Sequence, residues 1–98
     1  MGVNTNGFSF MIGYGSNYPL YEHHAGASCP VDKTKPCGWK YYSIDQPNPI
    51  VLEGAVVGGP DVKDKFNDKR SDYVQNEVSL NYNAGFQGLA AAVLHLNL

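Results

Sequence analysis

Two carboxylates, Asp68 and Glu77, stand nine positions apart in the run FNDKRSDYVQNEVSLNYNA, Phe66 to Ala84. Aromatic Phe66, Tyr73 and Tyr82 and amides Asn76, Asn81 and Asn83 surround them. Acids set among flat rings and amides suit sugar chemistry. The rings stack on pyranose faces, the amides bond hydroxyls, and one acid supplies a proton to a glycosidic oxygen. A surface loop rich in Asp and Asn has the same composition, so residue types alone leave both readings open.

Other reactive groups lie upstream. His23 and His24 are adjacent, and Cys29 and Cys37 flank PVDKTKP. A disulfide could close that short, proline-stiffened loop if the protein is secreted; two reduced thiols are the alternative. The cysteine spacing is wrong for a zinc site. Asp61, Asp64, Asp68 and Asp72 resemble a calcium loop only loosely and fail its pattern. Neither a metal nor a cofactor is expected. Trp39, Tyr41 and Tyr42 form an aromatic group that either packs a long loop onto the chain or makes a sugar-stacking wall.

These groups must be positioned by few elements. The 98 residues allow at most one small domain, and 43% hydrophobic content excludes compositional disorder. Net charge is −2, with Lys and Arg spread from Lys33 to Arg70, so nucleic acid is not an expected partner. No apolar run is long enough to span a membrane, and a membrane partner is not expected. The N-terminus, MGVNTNGF, is no signal peptide; a signal for secretion is expected upstream of this stretch.

A turn-prone lead-in covers residues 1–8, and Ser9 to Tyr14 reads as an extended piece or a helix end. Five prolines make residues 18–49 mostly loop. Ile50 to Val57 has strand composition, but Gly54, Gly58 and Gly59 argue for a tight loop. Residues 77–96 carry the one convincing helix: Val78, Tyr82, Phe86, Leu89, Val93 and Leu96 recur at three- and four-residue steps. Gly85 and Gly88 weaken it alone but permit close approach of a neighbouring helix.

The run from Phe66 resembles the second signature of glycoside hydrolase family 9, the endoglucanases, at Phe66, Asp68, Tyr73, Glu77, Ser79, Asn83 and Ala84. SFMIGYGSNYPLYEHHAGASCP, from Ser9, resembles the first signature, and PNPIVLEGAVVGGPD, from Pro47, the connecting loop. The three stretches stand in family order. The resemblance implies an all-α fold, the C-terminal portion of an (α/α)6 barrel, with long Gly/Pro-rich loops before one final helix. Residues 1–98 are then an incomplete catalytic domain, because the general base of the family, an Asp in a DAGD-like motif, does not occur in them.

The implied activity is endo-hydrolysis of β-1,4-glucan polysaccharides or oligosaccharides with inversion, in a secreted protein. Glu77 corresponds to the general acid. Near a helix start the dipole would favour its anion, so burial among Tyr73, Tyr82 and sugar must raise its pKa. Asp68 corresponds to a supporting acid that orders the site or bonds a sugar hydroxyl, and Arg70 with Asp72 to an ion pair fixing the loop. His23 corresponds to an active-site histidine, with His24, Tyr73 and Tyr82 as substrate-binding residues. Tyr82 equally suits a core position. Two departures stand out: Ala25 replaces the Arg that follows the histidine pair, and Glu22 replaces an apolar or Pro residue before it. A truncated relative that binds sugar weakly without hydrolysis is the alternative reading.

Overall fold

The computed structural model describes residues 7–97. The lead-in expected over residues 1–6, and Leu98 at the end of the apolar tail, lie outside them. Four helices follow in order: α1 (Ala25–Ser28), α2 (Lys40–Ser43), α3 (Tyr73–Asn76) and α4 (Leu80–Leu96). The first three are single turns. The described residues are helical and looped, as the all-α expectation required. Among the described residues, strand-like pairing is confined to isolated bridges, Met11 with Val56, Val57 with Val78 and His23 with Glu77.

Two of the three short helices, α1 and α3, start on a side-chain cap, whereas α2 has none. The imidazole of His24 accepts from the Ala27 amide at 3.1 Å, and the carboxylate of Asp72 accepts from that of Gln75 at 3.2 Å. Ser79 caps α4, accepting from the Tyr82 amide at 3.2 Å. This cap moves the helix start from the expected Glu77 to Leu80. Residues 77–79 are extended because their backbone serves elsewhere: Glu77 pairs in parallel with His23, and Val78 pairs with Val57. Glu77 thus terminates α3 rather than opening a helix, and the expected N-terminal dipole effect does not act on it.

Ile50 to Val57 is a loop, as its glycines implied. It turns at Gly54, whose φ is +86°, a conformation glycine adopts without cost. Asn83 on α4 clamps this loop, accepting from the Val56 amide at 3.2 Å and donating to the Gly54 carbonyl at 3.1 Å. At Gly58 the chain passes so close to α3 that a Cβ would sit on the Val74 carbonyl.

The buried apolar core is small: Ile12, Ala27 and Val57. Polar groups fill much of the remaining interior, including Glu22, Asn48, Arg70 and Asn76. α4 buries none of its residues, and Leu80, Leu89, Val93, Leu94 and Leu96 are exposed. No described helix is long and apolar enough to cross a membrane.

Candidate functional site

The bridge between His23 and Glu77 is the centre of the site, since it joins two stretches 54 positions apart in sequence. The His23 amide donates to the Asn76 carbonyl at 2.9 Å. The His23 ring is fixed by Nδ1, which lies 2.8 Å from the Arg70 carbonyl. A carbonyl only accepts, so Nδ1 carries the proton and Nε2 is left available. The ring sits 6.0 Å from Tyr42 and 6.2 Å from Tyr73, centroid to centroid. Glu77, His23 and Tyr73 are therefore neighbours.

Asp68 anchors the segment that leads into His23. Its two carboxylate oxygens accept from the amides of Leu20 and Tyr21, at 2.9 and 3.1 Å. Burial pushes its pKa up, against the pull of those two amides and of Arg70.

Arg70 is buried and organises the opposite wall. Nε donates to Asn48 Oδ1 at 2.9 Å, and Nη2 bonds the same oxygen. Its remaining donors reach the carbonyls of Tyr42, Ile44 and Gln46 at 3.2, 3.1 and 2.9 Å. This corrects the expected ion pair with Asp72, whose carboxylate caps α3 instead. Pinning the 42–46 loop holds Tyr42 beside His23. Between them opens a cleft of about 390 Å³, lined by His23, His24, Ala25, Ser28, Cys37, Gly38, Trp39, Tyr42 and Arg70. Trp39 is 86% exposed and meets Tyr42 edge-on at 6.0 Å. It does not pack down its loop; it forms a wall of this cleft.

Several expected sugar contacts have other work. Phe66 packs against Phe8 and Phe10, its ring centroid 5.3 Å from each. Asn76 is fully buried, its amide donating to the carbonyls of Asn67 and Asp72. Asn83 is the clamp described above. His24 lines the cleft, but its Nδ1 is committed to capping α1. Tyr82 is half-exposed on the first turn of α4 and is not among the residues lining the cleft. Glu77 is exposed, so Tyr73 and Tyr82 do not bury it within this chain.

Cys29 and Cys37 are bonded, with Cα atoms 5.3 Å apart. The disulfide follows α1 directly and brings Cys37 to the cleft wall. Among the described residues no three His, Cys, Asp or Glu side chains cluster as a metal site. The residue that sequence reasoning missed is Asn48, buried between Arg70 and the Glu22 carbonyl. Its one signal is a polar side chain held between two prolines.

The family model for Glycosyl hydrolase family 9 matches residues 1–90. Endoglucanase 18 of Arabidopsis thaliana is 43% identical over 100 residues, covering 96% of this chain and 21% of that protein. The endoglucanase of the termite Nasutitermes takasagoensis superposes with a TM-score of 0.85 at 46% identity, over 99% of this chain and 22% of that one. The cellulase CEL9M in complex with cellobiose superposes at 0.76 and 36% identity, over 99% and 21%. The chain spans about a fifth of the length of these relatives. The match supports the expected fold, the C-terminal portion of an (α/α)6 barrel.

Proposed function

The chain belongs to glycosyl hydrolase family 9, and on that premise we propose that the complete domain carrying it is a secreted endoglucanase that hydrolyses internal β-1,4-glucosidic bonds with inversion. The observation that carries the reading is the pairing of His23 with Glu77 beside an aromatic cleft. Glu77 is the general acid, protonating the leaving oxygen as the bond to the anomeric carbon breaks. A carboxylate outside these residues serves as the base that activates water on the opposite face, roughly 6.5–9.5 Å from the acid. Closure of the complete domain and bound glucan supply the burial that Glu77 lacks within this chain.

His23 offers Nε2 to a sugar hydroxyl, its tautomer fixed by the Arg70 carbonyl. Trp39 and Tyr42 offer stacking faces, Tyr73 and His24 flank them, and Tyr82 lies further along the glucan path. Asp68 is a positioning residue, acting through the backbone of Leu20 and Tyr21. The disulfide supports an oxidising, extracellular destination.

The test is hydrolysis of a soluble β-1,4-glucan by the complete domain, followed by viscometry and by NMR of the first-formed anomer. A rapid fall in viscosity with the α-anomer appearing first is expected. Release of the β-anomer first would contradict inversion. One observation favours a second reading: Ala25 lines the cleft where the signature carries Arg, removing a planar donor fork. Cello-oligosaccharide binding without hydrolysis by the complete domain would select that reading, a sugar-binding relative.

A further inference from the structure

Glu22 is 1% exposed, although it directly precedes the two histidines of the site. Its Oε1 has no hydrogen-bond donor. The residue that precedes the bridge partner of His23 shares this feature: Asn76 is 0% exposed and its Oδ1 also lacks a donor. Two donor-less buried oxygens thus flank the one pairing that joins His23 to Glu77. A carboxylate and an amide oxygen only accept, so neither relieves the other, whereas a carboxylic acid brings an O–H. An ionised carboxylate with an unpaired oxygen in a closed interior is among the costliest groups a fold can hold.

The charged and titratable groups around Glu22 do not offset that cost. Asp68 adds a like charge from the segment before α3, and His24 attracts weakly from the cap of α1. The Arg70 guanidinium is held on Asn48 and three loop carbonyls. Asn48 joins the two regions, taking Arg70 on its oxygen and donating to the Glu22 carbonyl at 3.0 Å.

We propose that Glu22 is a positioning residue that works as the neutral acid: uncharged, it lets residues 20–24 seat on the Asn48–Arg70 network and holds His23 against Glu77; ionised, it releases that pairing. The catalytic consequence rests on the reading of Glu77 as the acid. Burial, opposed by its own amide and by Asn48, pushes the Glu22 pKa up in agreement with this role. The sign follows by linkage. Below the ordinary Glu value both folded and unfolded chains hold the proton, and the stabilisation is complete. As pH rises through that value the unfolded chain alone releases it, so stability falls until the raised folded value is passed.

The experiment is difference infrared spectroscopy of the complete domain, labelled with carboxyl-13C glutamate, alongside pH–rate profiles of wild type and Glu22→Gln. A protonated-carboxyl stretch is expected to persist above the ordinary Glu pKa of about 4.3, and the Glu22 contribution to it to be lost in Glu22→Gln. At low pH the variant should turn over glucan within about 2-fold of wild type, and its alkaline fall in kcat should move to higher pH. Absence of the band overturns the proposal, and so does a band accompanied by superimposable profiles. Should Glu22→Gln not fold, the band is titrated in Glu77→Gln instead, where the general acid no longer contributes, and its absence there overturns the proposal. A domain that shows the band but hydrolyses no glucan defeats the reading of Glu77 and leaves the neutral state of Glu22 standing.

Discussion

Much of the site rests on one side chain whose role is not visible in its residue type. The resemblance to the family signature implies that Arg70 is half of an ion pair with Asp72. Its guanidinium instead reaches Asn48 and the carbonyls of Tyr42, Ile44 and Gln46, acceptors 22 to 28 positions away. A sequence cannot show backbone acceptors, since every residue carries one. Lysine, with a compact ammonium on a flexible stem, cannot serve such a fan of oxygens. Arg70→Lys in the complete domain should cost about 2–3 kcal/mol by urea unfolding, from buried acceptors left without donors. A loss no greater than an exposed Arg→Lys change gives would contradict the buried-clamp role. The two stretches that carry Glu77 and His23, by contrast, are marked by their motifs, and a backbone bridge joins them. The burial of Glu22 was not legible, since its residue type alone gives no sign that the chain around it closes.

At the scale of elements, α4 was readable in type and in its C-terminal limit, Leu96, but not in its start. The 3.6-residue period runs through Val78, yet Val78 is taken by Val57 and Glu77 by His23. Long-range pairing thus overrode local periodicity for three residues, and Ser79 supplied the cap that made the break inexpensive. Among the described residues, α4 buries none of its side chains. At Gly85 and Gly88 a Cβ would meet nothing within 4 Å. Gly85→Ala and Gly88→Ala should therefore each stabilise α4 in the 98-residue chain by roughly 0.5–1 kcal/mol, measured by thermal circular dichroism. In the complete domain the same substitutions should be neutral or destabilising if a neighbouring helix packs there. Equal stabilisation in both settings would show that the two glycines face solvent in the barrel as well.

The whole molecule is elongated, 50 × 28 × 23 Å, with a radius of gyration of 14.6 Å. A compact domain of this length has about 13 Å. With a core of few apolar side chains and a projecting helix that buries none of its own, the chain has little to oppose its conformational entropy. Loop-rich composition in the first two-thirds of the sequence already pointed this way. The isolated 98-residue chain should self-associate through the α4 face, seen as concentration-dependent sedimentation, and should turn over no soluble β-1,4-glucan. A monodisperse monomer with cooperative unfolding would contradict this. So, for the catalytic half of the expectation, would measurable turnover.

The assignment of Glu77 as the proton donor is tested most directly by leaving-group dependence. Glu77→Gln in the complete domain should lower hydrolysis of an unactivated cello-oligosaccharide by about 10²–10⁴-fold. Hydrolysis of an aryl cellobioside whose nitrated phenolate leaves without a proton should stay within about tenfold of wild type. Equal losses on both substrates, or no loss on either, would contradict the role given to Glu77.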